Sequence, residues 1–590
     1  MDPMETIGDT LQRAWQLHDG GSYAQAETLY RQILNVQPEH NFALFLLGRL
    51  ELDVGRHASA VEHLSAAVKG DASQAVYLAT LARAHQALGR HREAAAGYRA
   101  ALELEPDATD YYVNLGKVLL QCGEAAEAIA CYEKAVERDP ALAVAYNGLG
   151  AALEQQGRVE EAIGHYRRAI SLRPNSASAH YNLGTAMLKQ GRPAEALQDL
   201  TTAVQLQPKG DAAQSNLAAA YHLLGREDEA RETIDRAIEL APDEPDHHCS
   251  LATVLRYQGR PHDALASYER ALALNPDQAE AAFGRALVLL SLGRYAEAWP
   301  GFESRLASGP GKVKLGEPRW DGSPLANRTL LIDAEKEPRD TIQFIRLVKL
   351  AQRRGGNVVV AVDPTFLTLL GESGFGDLVS RDEPLPKFEV QAPLLSLPGI
   401  LGLELDTIPR EVPYLDVDPG RVGKWRDALA PYRGLKVGIA WQGARAQQLD
   451  DRRSIPLDSF ARLSKVAGVD LISLEHEEGD RPPAPFEIAF FDELQSGGQA
   501  LLDTAAVIKS LDLVIASDSA AAHLAGALAV PVWLALNKTP DWRWLLDRDD
   551  SPWYPTMRLF RQESSGDWAG VFERIATELA DVARRRNESS

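Results

Sequence analysis

Glycine returns every 34 residues through the first half of the chain, at Gly21, Gly55, Gly89, Gly123, Gly157, Gly191, Gly225, Gly259 and Gly293. Alanine keeps the same step at Ala26, Ala60, Ala94, Ala128, Ala162, Ala196, Ala230, Ala264 and Ala298. A large side chain follows four positions later, at Tyr30, Leu64, Tyr98, Tyr132, Tyr166, Leu200, Ile234, Tyr268 and Phe302. Proline closes most units, as at Pro38, Pro106, Pro140, Pro174, Pro208, Pro242 and Pro276, with Ala72 the exception. A period of this length admits few architectures. The glycine ends a first helix in a left-handed cap, which costs glycine little. The alanine lets a second helix approach closely, and the large side chain fills the groove between the two. The proline cannot continue the second helix. One such unit cannot bury its apolar face alone, so the units must stack into a solenoid. Nine helix–turn–helix units are expected over residues 7–308, forming an α superhelix able to hold another polypeptide.

Motifs such as Tyr112-Val113-Asn114-Leu115-Gly116 and the Ala128 to Tyr132 spacing resemble the tetratricopeptide repeat family. The resemblance implies that the first helix of each unit lines a concave face. The sixth place of the unit is Asn114, Asn182 and Asn216 in repeats four, six and seven, with Gly148 and Ser250 interrupting the series. An amide there can donate to and accept from a peptide backbone at once. Repeat-bearing protein O-GlcNAc transferases use such an asparagine ladder, which makes these three residues candidate peptide contacts. Asparagine as a filler of an exposed helix position is the alternative.

Size and composition narrow the classes further. At 590 residues the chain is too long for one core. The net charge of -21 argues against a general nucleic-acid binder, which needs a basic face. Cys122, Cys131 and Cys249 form no CxxC pair, so neither a zinc site nor a disulfide framework is indicated, and a reducing cytoplasm is expected. The start of the chain is acidic, without the apolar run of a signal peptide, and no uninterrupted apolar stretch of about 18 residues predicts a membrane span.

The 34-residue register ends after Phe302, and Ser308-Gly309-Pro310-Gly311 reads as a linker. Beyond it the pattern alternates. Strand-like runs are Thr329–Ile332, Val358–Val362, Phe388–Ala392, Lys436–Trp441, Leu471–Leu474, Ile488–Phe491, Leu513–Ala516 and Val532–Leu536. Helical stretches lie between many of them, at Asp340–Arg354, Ala500–Ser510 and Ala520–Leu528. Such alternation argues for parallel α/β sheets. A break around Asp416–Lys436 divides this half into residues 318–418 and 436–590, with a cleft between them.

Several stretches here resemble the two-lobed GT-B glycosyltransferases of the lipopolysaccharide heptosyltransferase type (glycosyltransferase family 9), over residues 318–586. They are Trp320-Asp321-Gly322, Asp340-Thr341-Ile342-Gln343-Phe344, Arg453-Ser454-Ile455-Pro456-Leu457, the run from Ser517 to Leu528, and Pro540-Asp541-Trp542-Arg543-Trp544. The resemblance implies two Rossmann-like lobes, with the acceptor on the first and a nucleotide-sugar donor on the second. The donor is a co-substrate, and no resident cofactor or metal is implied.

Strand, turn and helix N-terminus at Asp518-Ser519 make a ready anion site, with His523 one turn further on the same face. The resemblance gives this element the donor's ribose and diphosphate. A plain N-cap with a structural histidine is the alternative. The resemblance sets Arg453, with Arg452 beside it, against the leaving diphosphate; Asp450 and Asp451 would equally make a surface ion cluster. Trp441 and Gly443 close the preceding strand, where Gly443 would let backbone approach a ligand. Asp340 aligns with the family's general base. Its loop departs from the family's Gly-x-Gly-Asp and reads Glu337-Pro338-Arg339-Asp340. Either Arg339 makes a new phosphate contact or the loop has lost its active geometry, leaving a non-catalytic scaffold. Gly374-Phe375-Gly376-Asp377 and Asp416-x-Asp418 read as turns, and Trp542, Trp544 and Trp553 as packing residues.

Overall fold

The computed structural model describes residues 6–308, 318–335, 337–442, 454–475, 485–491, 494 and 499–589. The chain forms two compact units, Met1–Leu224 and Gly225–Ser590. The first is built of helical hairpins, from Ile7–Asp19 with Tyr23–Val36 to Ala177–Lys189 with Pro193–Leu206, and closes on helix Asp211–Leu223.

The repeat residues do the work their chemistry suggests. Gly21, Gly55, Gly89, Gly123, Gly157 and Gly191 all have φ between 71° and 80°, a region that side chains with a Cβ enter at a cost. Ala26, Ala60, Ala94, Ala128, Ala162 and Ala196 are fully buried where the two helices of a hairpin meet. A second glycine, inside the first helix, completes the contact. A Cβ on Gly150 would lie 2.5 Å from the ring of Tyr166, and one on Gly116 would lie 2.8 Å from Tyr132. The aromatic side chain therefore packs directly on helix backbone.

The second unit opens with helix Glu227–Leu240. Hairpins Pro245–Tyr257 with Pro261–Leu274 and Ala279–Ser291 with Tyr295–Phe302 follow, then the short turn Arg305–Ser308. Two sheets come next. The first holds β1 (Ala326–Asp333), β2 (Gly355–Val362), β3 (Asp377–Ser380) and β4 (Val390–Pro393), in the order β3-β2-β1-β4. The second holds β5 (Leu435–Ala440), β6 (Val469–Ser473), β7 (Leu513–Ala516), β8 (Val532–Leu536) and β9 (Met557–Arg561), in the order β6-β5-β7-β8-β9. Every pairing is parallel. Helical repeats followed by two Rossmann-like parallel sheets is the fold class the sequence implies.

Some local expectations need correction. Ile488–Phe491 is no strand; only Ala489 bridges, to Ile472. Asp340–Arg354 is not one helix but Pro338–Phe344, a 3-10 turn at Ile345–Leu347, and Val348–Gln352. The stretch Asp416–Lys436 contains helix Pro419–Ala428, and Asp418 caps it by accepting from Arg421 N at 2.8 Å. Strands β3 and β9 lie outside the runs read as strands.

One apolar core runs through the second unit, from the last two repeats into both sheets. At its centre Trp542 packs against Trp299 (6.0 Å), Phe302 (6.1 Å) and Phe344 (6.4 Å), and Trp553 against Phe344 (5.5 Å). Trp299 Nε1 donates to Leu403 O at 2.8 Å. A smaller core under the other face of the second sheet is closed by helix Trp568–Ser589. Repeats eight and nine thus share their core with the α/β region.

A matched pair of glycines tests the repeat packing. Gly150→Ala drives a methyl into Tyr166 and is expected to destabilise by about 1–3 kcal/mol. Gly164→Ala, in the middle of helix Val159–Leu172 with open space around it, is expected to stabilise by about 0.5–1 kcal/mol. Urea unfolding of the two variants checks both signs.

Candidate functional site

Both sheets change direction at their centre. In the first, the chain runs outward from β1 through β2 and β3, then returns to place β4 on β1's other side. In the second, β6 and β7 flank β5. Loops leaving such switch points diverge and open a crevice at the strands' carboxyl ends. A cavity of about 420 Å³ lies there. Arg339 and Asp340 reach it from beyond β1, Asp518 from beyond β7, and Asn537 to Arg543 from beyond β8. Its remaining wall comes from repeats eight and nine, with Arg256, Tyr257, Phe283 and Phe302 among the lining residues.

Five charged side chains meet at this edge. Arg543 is buried and donates through Nη2 to Asp340 Oδ1 (2.6 Å), through Nε to Gln343 Oε1 (2.6 Å) and through Nη1 to Asp541 Oδ1 (2.9 Å). Arg339 lies 3.7 Å from Asp340, 3.7 Å from Asp518 and 4.0 Å from Asp541. Burial alone would depress the Arg339 guanidinium, but Asp518, Asp541 and Asp340 outweigh it and hold it above the usual arginine range. Its Nε and Nη1 make no hydrogen bond among the described residues. They are buried charged donors held by attraction alone.

The Asp340 loop is set by its sequence. Pro338 takes the first position of helix Pro338–Phe344, where its missing N–H costs nothing, and holds Glu337 extended at φ -78°, ψ 116°. That turn carries Arg339 and Asp340 together into the crevice. Past β7, Ser519 caps helix Ala520–Ala527 in extended conformation. Its Oγ is buried and makes no hydrogen bond among the described residues. His523 is fully buried, with Nδ1 2.9 Å from Tyr554 Oη and Nε2 3.5 Å from Asp518 Oδ1. Burial pushes its pKa down, against the pull of Asp518, and keeps the ring neutral.

Asp340 and Asp518 both line the cavity, while Ser519 and His523 belong to the adjoining helix. Trp441 does not line it: its side chain packs near Phe460 (6.5 Å) in the core of the second sheet, and its N–H is taken by Glu475 Oε1 at 2.6 Å. Gly443, Arg452 and Arg453 lie outside the described residues. Asn114, Asn182 and Asn216 belong to the first unit. Asn182 Nδ2 donates to Asn147 Oδ1 (3.1 Å), Asn216 Nδ2 donates to Thr185 Oγ1 (2.8 Å), and Asn114 is partly exposed. The sequence reading passes over Gln343, Asp541 and Arg543. All three lie inside stretches it singles out, but Arg543 sits between two tryptophans that draw attention to packing.

The repeats also carry a family signature. Residues 11–75 match the tetratricopeptide repeat, and residues 59–287 match the Cilia and flagella-associated protein 70 C-terminal domain. Protein FlbA of Caulobacter vibrioides is 28% identical over 307 residues, which cover 45% of this chain and 48% of FlbA. The match thus spans about half the length of that relative. Among solved structures, the APC/C hetero-tetramer Cut9-Hcn1 is 18% identical over 45% of this chain and 52% of that one, with a TM-score of 0.38. YrrB, described as a TPR protein with an unusual peptide-binding site, is 26% identical over 31% of this chain and 95% of its own, with a TM-score of 0.28. The repeat region is a tetratricopeptide repeat region.

Two measurements probe the cluster. Arg543→Met leaves Asp340 and Asp541 buried without their partner and is expected to cost about 3–5 kcal/mol in chemical unfolding. The second follows from His523. The unfolded imidazole takes a proton near about pH 6.5, while the buried ring resists it. Below that pH the unfolded state binds the extra proton, so stability falls as pH falls. His523→Gln is expected to flatten the decline of Tm between about pH 7 and 5.

Proposed function

We propose that this tetratricopeptide repeat protein binds a polypeptide on its repeats and transfers to it a sugar from a nucleotide-sugar donor held by the α/β region. The observation that carries the reading is the makeup of one cavity. Its walls combine Arg339 and Asp340 from one sheet, Asp518 and the 537–543 segment from the other, and aromatic side chains of repeats eight and nine. In this reading donor and base share a cavity whose wall includes side chains of repeats eight and nine.

Each group has a chemical task in this reading. Asp340 accepts the proton of the acceptor hydroxyl as the new glycosidic bond forms. The nucleoside diphosphate leaves with the electron pair of the broken bond. Arg339, through its uncommitted Nε and Nη1, neutralises that charge together with the N-terminus of helix Ala520–Ala527 and Ser519 Oγ. Arg452 and Arg453 stand as further candidates for the diphosphate. Asn114, Asn182 and Asn216 hold the acceptor backbone: the two amide hydrogen bonds observed leave the Asn182 and Asn216 Oδ1 atoms available. The three free cysteines support a reducing compartment, and we place the activity in the cytoplasm.

A second reading has its own observation. Arg543 already occupies Asp340 Oδ1, which suits a carboxylate retired from proton transfer. The domain would then be a sensor or scaffold. Calorimetry and product analysis with UDP-, ADP-, GDP- and CMP-sugars separate the two. Transfer is expected, with Asp340→Asn lowering kcat about 10²-fold or more while the donor Kd stays within a few-fold. Binding without turnover, unchanged by the substitution, supports the scaffold. No binding of any nucleotide sugar sinks the enzyme. Replacing Asn114, Asn182 and Asn216 together by alanine is expected to weaken capture of the acceptor polypeptide at least tenfold without changing donor affinity.

A further inference from the structure

Arg256 lies in the last turn of the first helix of repeat eight and lines the cavity. It stands apart from the other guanidiniums there. Arg543 is matched by Asp340 and Asp541, Arg339 by three carboxylates, and Arg305 by Glu303 (2.8 Å) and Glu335 (3.0 Å). Arg256 has no carboxylate partner among the described residues. Its guanidinium lies 4.4 Å from the ring of Tyr257, and its buried Nε makes no hydrogen bond among the described residues. The Tyr257 and Tyr268 phenols reach it, but no carboxylate among the described residues does, so at the wall of the cavity this buried cation lacks a counter-ion.

The repeat register sharpens the point. The place of Arg256 is taken in other repeats by Leu52, Leu120, Leu188 and Leu290, and by His18, Gln86, Glu154 and His222. Repeat architecture at this place thus accepts leucine.

We propose that Arg256 binds an anionic group, a carboxylate or a phosphate, on the ligand that occupies the cavity, so that repeat eight completes the ligand site as well as docking a polypeptide. The proposal rests on the reading of this cavity as a carbohydrate site and adds the substrate class: a sugar or acceptor moiety carrying a negative charge at its repeat-facing end. A planar guanidinium with neighbouring donors suits a two-oxygen anion in a bidentate pair.

Saturation-transfer NMR titrations of the full chain at constant chloride test it, with glucuronate, glucose 6-phosphate and glucose as probes. At least one charged sugar is expected to bind at least fivefold more tightly than glucose. Glucuronate ahead identifies a carboxylate site, and glucose 6-phosphate ahead a phosphate site. Arg256→Leu, the residue native to four sister repeats, is expected to erase that preference, and Arg256→Lys to keep part of it, with far-UV circular dichroism showing both variants folded at the assay temperature. No preference in the native chain, no binding of any probe, or a preference that survives in Arg256→Leu overturns the proposal. The transfer reading fails separately. If no nucleotide sugar binds but the Arg256-dependent preference persists, the anion site stands alone. If sugars are transferred equally by native chain and Arg256→Leu and no charge preference exists, the anion site falls and transfer stands.

Discussion

The second unit depends on one buried guanidinium. Arg543 leaves the segment after β8 and ends on Asp340 and Gln343, some 200 residues earlier, in the helix after β1. A buried ion pair is expensive to desolvate and persists only when its remaining donors are also satisfied. Arg543 meets that condition with acceptors at Asp340, Gln343 and Asp541. The carboxyl edges of the two sheets are thereby fixed against each other. A second buried arginine repeats the device nearby. Arg346 donates to Pro409 O (3.1 Å), Trp553 O (2.8 Å) and Tyr414 Oη (2.7 Å). Two lobes joined in this way form one body, with a crevice set between fixed charges.

The same segment links that crevice to the repeats. Trp542, between Asp541 and Arg543, packs on Trp299 and Phe302 of repeat nine and on Phe344 of the Asp340 helix. Whatever moves repeat nine therefore presses on the residue between two members of the charged cluster. Repeats eight and nine are better understood as a wall of the site than as the last links of a separate array. Their seam with the α/β region is apolar and aromatic at its centre, and is edged by Arg305, Glu303, Glu335 and Ser396.

The repeats were legible because one glycine in a left-handed cap and one alanine at a helix crossing recur every 34 residues, and each has a single steric reason to be there. Most sheet strands were legible because parallel strands buried on both faces read as unbroken apolar runs, as Val358–Val362 does. β3 was missed because Asp377–Ser380 is a short edge strand with polar ends, and Ile488–Phe491 misled because an apolar run pairs only at Ala489. In the candidate site, Asp518 was singled out through strand–turn–helix geometry, which is local, and Asp340 through the resemblance of its stretch to a family motif. Arg543 and Arg256 were not. Their partners and surroundings come from distant parts of the chain, and no spacing rule marks an arginine whose importance lies in what folds against it.

The altered loop before Asp340 carries the remaining tension. Glycines in that place would bring bare backbone N–H groups to a ligand. Here Pro338 removes one N–H and Arg339 fills the space with a side chain. The loop has not collapsed, however: Pro338 starts a short helix, and Arg339 is held among Asp340, Asp518 and Asp541 at distances too long for hydrogen bonds. Two of its donors are left unused. A side chain kept only to neutralise three carboxylates would close to contact distance, as Arg543 does at 2.6 Å. One standing 3.7 Å or more from each is held by the field of all three rather than by contact with one. Arg339 thus brings one positive charge among three carboxylates at the edge of the crevice, where Arg543 brings a second.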